Sequence, residues 1–535
     1  MTDYISNILD NRKLRLSFIA TIVVAIIAYT FKFTNAAYGW DNVAISLNKV
    51  YPSFGGAKWL GWSTPLLTML QSIPWLDGVI GTLLMSVTVY ILILTFDVET
   101  LAGIIATAAI CQVSPTIIMV NTYGYSLAFY LALLFSVLGA YLLVSSNKLS
   151  IKQIMLAIIC IAVSAGYYGA FLTTTFTVLF LKILMDIFYG KTFKEVSRTC
   201  TAFIGIPVIA VAIFYLILRI LLAVSGQQLQ AYGGENNISS LGSIISFLSF
   251  KRIADVYGAC LYYYIYRSFT PHLLTVIIFI LFAVAIIVLL KRKVLVIRDS
   301  AKNVALAVVI ILLMPVAMGF LGLFTTQIHE LMYFGYSMPY LTVVVVCELL
   351  YKTYRSDDSN VKFIKSLEIV ISCLLVAYIY FGIVLANTVA IRASSYMQST
   401  YALCIRVVDR IECTEGFTGE EQVCVIYCPS EGDSYIDSTG LTSIPILDDL
   451  WNVSDSRVNG LNDFNVPLFI RNIMGVPVDV KQYTSLDSFY EDCDLSDLEE
   501  SQISDMEMFP NNSCVRKVGN RIVVMLNRGI EELEQ

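Results

Sequence analysis

Repeated apolar runs of about 20 residues constrain this chain most, because a helix of that length crosses the hydrocarbon core of a bilayer. Eleven such runs occur, and several are joined by only a few residues, so ten or twelve spans are alternatives. Only 14% of the 535 residues are charged, against about 25% in soluble domains. The sequence therefore predicts a polytopic α-helical membrane protein with about 11 transmembrane helices. The predicted spans cover residues 16–34, 75–96, 101–120, 126–145, 151–168, 171–188, 202–224, 273–291, 302–324, 338–353 and 364–388.

Basic residues in the short loops predict the orientation of the chain in the membrane. Most of them fall on one side, which predicts that this side and the N-terminus are cytoplasmic. The opposite loops hold few bases, and an odd number of spans places the tail outside. The predicted cytoplasmic bases are Arg12, Lys13, Arg15, Lys148, Lys152, Lys191, Lys194, Arg198, Lys291, Arg292, Lys293, Arg298, Lys352, Arg355, Lys362 and Lys365.

A sharp change in charge predicts a domain boundary near residue 390. Residues 391–535 contain 25 acidic and 10 basic side chains, whereas residues 1–390 contain 16 acidic and 25 basic ones. Strand-like runs at 422–428 and 520–527 and a buried element at 466–476 predict a small α/β extracytoplasmic domain. Six of the twelve cysteines lie in this tail, which favours disulfides in an oxidising compartment, although some of them could be free and buried. The tail cysteines are Cys404, Cys413, Cys424, Cys428, Cys493 and Cys514.

The transmembrane domain, residues 1–390, has three substantial outer loops, at 35–74, 225–272 and 325–337. In the first loop Asp41 stands between Trp40 and Asn42. A carboxylate at the membrane face can act as a general base, but Asp is also a favoured helix N-cap. Residues 55–76 have the pattern of an interfacial helix, on which Lys58 and Trp62 would share a face. The tryptophans of this loop could equally form an aromatic belt at the membrane surface.

The other two outer loops offer further polar and aromatic side chains. The second contains Glu235, Arg267 and tyrosines 262–264, which suit a sugar ring or, equally, lipid headgroups. The third contains His329 and Glu330. With two histidines in the chain, a histidine-based metal site is not favoured, and no cofactor is predicted. No nucleotide-binding or triad motif occurs, so the substrate is expected to arrive through the membrane, and no nucleic acid is expected as a partner.

Three segments carry a resemblance to a known family. They are "WDNVAISLNKV" followed by "GGAKWLGWSTPLL", then "SAGYYGAF", and the end "MFPNNSCVRKVGNRIVVMLN". This layout resembles the bacterial O-antigen serotype-converting glucosyltransferases, the glucosyl transferase II family of GT-C-type membrane enzymes. Four features depart from the pattern. Lys58 stands at an expected arginine, His329 stands near another, Gly169 stands where a glutamine is expected, and "NTYGYSLAF" lacks the acid expected before the fourth span.

The resemblance implies a function on the outer face of the bacterial cytoplasmic membrane. A sugar, expected to be glucose, would pass from a polyprenyl-phosphate donor to a cell-surface polysaccharide, with a flippase and a donor-synthesising glycosyltransferase as partners. Asp41 would be the catalytic base. Cations would offset the charge of the leaving phosphate, with Lys58 and Arg267 as candidates and Arg219, Lys251 and Arg252 as further ones. The predicted substrate-binding residues are Trp40, Asn42, Lys58, Trp62, Tyr168, Glu235, Arg267, His329 and Glu330.

Two other functions stay open. A transporter or flippase for a lipid-linked sugar would share the spans and the aromatic loops, but it needs polar residues near the membrane midplane, and few are found. A polysaccharide polymerase or ligase uses nearly the same chemistry, and residue spacing does not separate it from a glucosyltransferase.

Overall fold

The structure is a computed structural model, and it describes residues 11–35, 58–63, 73–123, 126–146, 149–227, 249–266, 271–323, 330–356, 361–427, 465–493 and 495–527. Most of these residues are helical. The helices before the tail are α1 (Arg12–Thr34), α2 (Pro74–Thr95), α3 (Leu101–Gln112), α4 (Pro115–Val120), α5 (Ser126–Val144), α6 (Ile151–Tyr168), α7 (Leu172–Phe188), α8 (Phe193–Ser225), α9 (Phe250–Leu261), α10 (His272–Lys291), α11 (Ser300–Met318), α12 (Phe334–Ser356) and α13 (Val361–Glu412).

Nine helical stretches among the described residues are long and apolar enough to cross a membrane. The prediction of a polytopic helical membrane protein is therefore confirmed, whereas the count of eleven spans is not. The difference arises at two places. The predicted span 101–120 is not one helix. The predicted spans 151–168 and 171–188 are counted as one helical stretch, Ile151–Phe188, although the chain turns back within it at Gly169–Phe171.

The predicted span 101–120 is broken between α3 and α4. Ser114 ends the break and caps α4, since its hydroxyl accepts a hydrogen bond from the amide of Ile117. Pro115 is the first residue of α4, where a missing N–H costs nothing. The Tyr29 hydroxyl donates to the carbonyl of Gln112 at 2.5 Å, a group that the end of α3 leaves open. Side chains thus hydrogen-bond the backbone groups that the break leaves open. The break does not appear as a drop in the hydrophobicity of the sequence.

The chain reverses direction between α6 and α7. A short loop joins α5 to α6, so these helices lie antiparallel, and the Ser164 hydroxyl donates to the carbonyl of Ala132 at 2.7 Å. A straight continuation of α6 would carry the chain past the start of α5. Instead, the Ser136 hydroxyl donates to the carbonyl of Phe171 at 2.7 Å, further along α5. The 3₁₀ turn Gly169–Phe171 therefore folds α7 back beside α5.

Helix α13 joins the membrane part to the tail. It contains 52 residues, about 78 Å at 1.5 Å per residue, which exceeds the roughly 30 Å hydrocarbon core. It runs through position 390 without a break, so the proposed domain boundary lies inside one helix. Its last turns pack on the tail, where the Arg406 and Arg410 guanidinium groups lie 4.7 and 4.8 Å from the Phe509 ring centroid.

The described tail contains a four-stranded sheet formed by β1 (Gln422–Tyr427), β2 (Val480–Tyr483), β3 (Val515–Val518) and β4 (Arg521–Asn527). The strands lie in the order β2-β1-β4-β3, with β1 parallel to both neighbours and β3 antiparallel to β4. The two strands expected from the sequence are β1 and β4, and both are confirmed. The buried element is also confirmed, since Val466, Phe469 and Ile470 lie in the core. The helices of the tail are α14 (Asn465–Leu468), α15 (Leu486–Asp492) and α16 (Asp497–Ser504).

Two further expectations are not met by the described residues. Residues 58–63 of the expected interfacial helix form a 3₁₀ turn, Gly61–Ser63, because the segment follows the surface of α6. No disulfide joins the described tail cysteines, which are all free thiols, and Cys428 lies outside the described residues. The described free thiols of the tail are Cys404, Cys413, Cys424, Cys493 and Cys514.

Candidate functional site

The segment 58–63 lies against the C-terminal end of α6. The amide of Leu60 donates to the carbonyl of Gly166 at 2.8 Å. Trp59 covers the same glycine, where an added Cβ would come within 2.7 Å of the indole ring. The indole also stacks on Phe214 of α8, with ring centroids 6.4 Å apart. Trp59 is therefore a packing residue in this position, which corrects its assignment to an aromatic belt.

This docking brings together Lys58 and Tyr168, two residues that the sequence analysis selected. The Lys58 ammonium lies 5.0 Å from the centroid of the Tyr168 ring. Lys58 is half-buried and Tyr168 is buried, so the cation is partly shielded from water. A cation over an aromatic face at such a place is stabilised by ~0.5–2 kcal/mol. The position of one positive charge is thus fixed at the end of the helix bundle.

An aromatic wall supports the Tyr168 ring. Phe129 meets it edge to face, with centroids 4.8 Å apart, and Tyr123 lies 5.7 Å from Phe129. On the other side Phe171 lies 5.9 Å from Tyr168. These rings come from the starts and ends of α5, α6 and α7. The wall is assembled from helix ends on one side of the bundle, and it continues to Phe334 of α12.

Glu330 lies beside this wall, in the 3₁₀ turn Glu330–Met332 that contacts the turn Gly169–Phe171. Its side chain is 2% exposed. The Thr116 hydroxyl of α4 donates to its backbone carbonyl at 2.7 Å, which fixes the turn against the broken span. A carboxylate is thus buried close to the helix ends that carry Lys58 and Tyr168.

Sequence reasoning missed a pair of buried charges at the same end of the bundle. Lys32, in the last turn of α1, is 9% exposed, and Asp77, in the first turn of α2, is 5% exposed. The two charges are close enough to interact electrostatically. One oxygen of Asp77, Oδ2, has no hydrogen-bond partner among the described residues. The available signal was the cost of placing a charge inside a span, since Lys32 lies within the predicted span 16–34.

Arg392 is a second buried base that was missed, and it is 3% exposed. Helix α13 runs parallel to α1, since Val24 packs near Ile379 and the Asn387 amide donates to the carbonyl of Ile27. Lys32 follows Ile27 by five residues on α1, and Arg392 follows Asn387 by five residues on α13. Because the helices are parallel, Arg392 lies at the level of Lys32. Among the described residues, this end of the bundle thus contains Lys32, Arg392 and Lys58 as bases and Asp77 and Glu330 as acids.

The structure places three other predicted cations, Arg219, Lys251 and Arg252. The side chains of Arg219 and Lys251 are exposed, and no described contact joins either to Lys58. Arg252 is half-buried in α9. Residues 267–270 and 324–329 are outside the description, so Arg267 and His329 are not placed.

Of the tyrosines 262–264 expected in the second outer loop, Tyr262 is exposed, whereas Tyr263 and Tyr264 pack against helices of the bundle. Tyr263 is buried and stacks on Tyr336, with centroids 4.8 Å apart, and the Tyr264 hydroxyl donates to the carbonyl of Tyr336 at 2.6 Å. The cavity between Tyr263, Tyr340 and their neighbours has a volume of only about 10 Å³. The expected sugar platform is therefore wrong for Tyr263 and Tyr264, because helix packing covers both rings.

Several predicted residues lie outside the described part of the chain. Among them is Asp41, so its role as a base stays a prediction. The side chain of Trp62 is also outside the description. Within the described residues no three His, Cys, Asp or Glu side chains converge as a metal site would require. The other predicted residues not described are Trp40, Asn42 and Glu235.

A known protein family matches the part of the chain that contains most of the site residues. A family model described as Glucosyl transferase GtrII matches residues 56–346, more than half of the chain. The match contains Lys58, Asp77, Tyr168 and Glu330, and it begins after Asp41. No curated protein and no solved structure matches the chain.

Proposed function

Because the chain belongs to the glucosyl transferase GtrII family, we propose that it moves glucose from a polyprenyl-phosphate donor to a cell-surface polysaccharide. Family membership and the apolar helices make it a membrane glycosyltransferase. The donor, the acceptor and the outer face of a bacterial cytoplasmic membrane are the proposed part.

The observation that carries the proposal is the Lys58 ammonium held 5.0 Å from the Tyr168 ring at the end of the bundle. A polyprenyl phosphate keeps its chain in the bilayer and its phosphate at the membrane surface. Lys58 lies at the end of the helix bundle, where we expect the membrane surface and therefore the phosphate. Its partial shielding strengthens its attraction for an anion.

The reaction breaks the bond between the sugar C1 and the phosphate oxygen, and the bonding electrons leave with the phosphate. The oxygen of an acceptor hydroxyl forms the new bond to C1, and its proton passes to Asp41. The leaving phosphate is a stable anion, so no acid is needed to protonate it. Lys58 stabilises the charge that develops on the phosphate, which is the place where a fixed cation accelerates transfer.

The Lys32–Asp77 pair has a positioning role in this proposal. Lys32 lies in the last turn of α1, and the loop that contains Asp41 leaves α1 after Asn35. Asp77 lies in the first turn of α2, where the helix dipole favours an acid. The pair therefore links the end of α1, where the loop begins, to the start of α2, where the loop ends.

Transport is the second candidate, because the break between α3 and α4 is a feature that transporters use to build binding sites. An assay in detergent separates the two functions, since transport needs a sealed bilayer and sugar transfer does not.

The test supplies polyprenyl-phosphate glucose and a polysaccharide acceptor to purified wild type and Asp41→Asn in detergent. We expect transfer by the wild type and near-complete loss in the variant, with normal expression of both. Full activity of the variant would move the base to another carboxylate, with Glu330 and Glu235 next. No transfer by a folded wild type would contradict the proposed function.

A further inference from the structure

A cavity lies at the opposite end of the bundle from Lys58, where the basic loops are. Its volume is about 560 Å³, within the usual range of small-molecule sites, ~300–1,000 Å³. It is formed by the start of α1, the start of α3, the end of α12 and the start of α13. None of the residues of the candidate transfer site lines it.

The lining changes from charged to apolar along α12 and along α13. At the end of the bundle it contains Arg12, Arg355 and Glu368. Towards the middle it is formed by side chains such as Val344 and Ile379. The cavity also opens to the side of the bundle, since Val376 on its edge is 65% exposed. A charged outer part and an apolar inner part match the profile of a membrane lipid at the interface.

Several charges around the cavity are already used to hold the helices together. The Glu348 carboxylate is buried and accepts hydrogen bonds from the amides of Glu99 and Thr100 and from the Thr100 hydroxyl, the last at 2.6 Å. Lys352 forms an ion pair with Glu99 at 2.6 Å. These contacts fix the start of α3 against α12.

The remaining charges are of both signs. The Arg355 guanidinium lies 5.3 Å from the Tyr351 ring centroid, which holds it at the rim. Arg12 has no ion pair among the described residues. Glu368 accepts one hydrogen bond, from the Ser372 hydroxyl at 3.1 Å. The cavity therefore offers two guanidinium groups for a phosphate and a carboxylate for a cation.

We propose that this cavity binds phosphatidylethanolamine through its phosphoethanolamine headgroup. Arg12 and Arg355 bind the phosphate, and guanidinium groups suit phosphate oxygens well. Glu368 binds the ammonium, which can donate three hydrogen bonds. A choline headgroup cannot donate, and a glycerol headgroup has no ammonium to pair with the Glu368 carboxylate. The apolar inner part receives the start of the acyl chains.

The test measures lipid retention on the detergent-purified full chain by native mass spectrometry. Equal amounts of phosphatidylethanolamine, phosphatidylglycerol and phosphatidylcholine are added to wild type, to Arg12→Ala/Arg355→Ala and to Glu368→Gln. Arg15→Ala is the matched control, because Arg15 is exposed on α1 but does not line the cavity. Size-exclusion profiles and thermal unfolding show whether each variant is folded.

We expect the wild type and Arg15→Ala to retain phosphatidylethanolamine about tenfold better than the other two lipids, as one charge-assisted hydrogen bond allows. The double arginine variant should lose this retention, and Glu368→Gln should bind phosphatidylethanolamine and phosphatidylcholine equally. Equal retention of the three lipids by the wild type, or a folded double variant with unchanged retention, would overturn the proposal. Competition by soluble O-phosphoethanolamine as strong as by the lipid would exclude a lipid as the occupant. None of these results depends on glycosyl transfer, so the two proposals fail separately.

Discussion

At the scale of single residues, Gly166 determines how closely the segment 58–63 approaches α6. The Trp59 indole occupies the space where a Cβ would stand, and the carbonyl of Gly166 accepts the hydrogen bond from Leu60. Lys58 directly precedes Trp59, so its place over Tyr168 depends on this contact. A glycine that costs helix stability is therefore used to place a cation.

Gly166→Ala is expected to reduce glycosyl transfer without unfolding the protein. The added Cβ would lie 2.7 Å from the indole ring, so the segment must move. Overpacking of this kind costs ~1–3 kcal/mol. The measurement is transfer activity and thermal unfolding of the variant beside Gly205→Ala, a helical glycine with nothing within 4 Å of its Cβ position. Equal activity of both variants and the wild type would show that the segment does not need this fit.

Only part of the candidate site could be predicted from the sequence. Lys58 and Tyr168 were selected because they lie in segments that resemble a family, but nothing in the sequence showed that they touch. Lys32 and Asp77 were missed because each stands at the end of an apolar run, where a charge normally faces water. Their burial depends on how α1 packs against α2, and hydrophobicity alone does not contain that information.

At the scale of elements, apolar length predicted where helices lie but not how they are interrupted. The break after Val113 depends on Ser114, Pro115 and the Tyr29 hydroxyl from another helix. The reversal at Gly169–Phe171 depends on contacts with α5. Inside the bundle, short polar side chains form hydrogen bonds with open backbone groups. Such side chains hardly change the hydrophobicity of a segment, so the hydrophobicity pattern shows neither the break nor the reversal.

In the tail, an ion pair joins the start of β1 to β3. Lys517 lies 2.6 Å from the Glu421 carboxylate, which also accepts from the amide of Thr418. The Lys517 hydrogen bond first, and the Thr418 amide second, lower the pKa of Glu421 to about 2. A lowered pKa means that the contribution of Glu421 to stability is present at neutral pH and is lost as the pH falls through about 2.

Glu421→Gln should therefore destabilise the tail at pH 7, and most of the difference from the wild type should be lost by pH 2, where Glu421 in the folded tail is half protonated. The measurement is the urea midpoint of the tail in the full chain, by pulse proteolysis with thermolysin at pH 7 and pepsin at pH 2. Glu420→Gln is the matched control, because Glu420 is exposed. A Glu421→Gln deficit that is unchanged at pH 2 would argue that the carboxylate charge is not the cause.

At the scale of the whole molecule, α13 connects the membrane part to the tail as one helix of 52 residues. The tail sheet packs on its last turns through side chains such as Val407 and Ile411. The tail is thus held at the end of the bundle that contains Lys58 and Arg392.

Cys413, directly after α13, tests the proposed orientation. Its side chain is exposed, whereas Cys424 is buried, and burial raises the pKa of the Cys424 thiol to about 12. A membrane-impermeant maleimide added to intact spheroplasts should modify Cys413 but not Cys424, as read by peptide mass spectrometry. Cys413→Ser controls for other thiols. Modification of Cys413 only after lysis would place the tail in the cytoplasm.

The central claim is that a membrane-anchored phosphate sugar is the donor and that Lys58 stabilises its leaving phosphate. Its most direct test is the transfer of radiolabelled glucose to polysaccharide by purified wild type, Lys58→Arg and Lys58→Ala, from polyprenyl-phosphate glucose and from UDP-glucose. We predict transfer from the polyprenyl donor alone, a fall in kcat/KM of about 100-fold for Lys58→Ala, and a smaller fall for Lys58→Arg, which keeps the charge. Efficient use of UDP-glucose by the wild type, or unchanged kinetics of Lys58→Ala, would contradict the account.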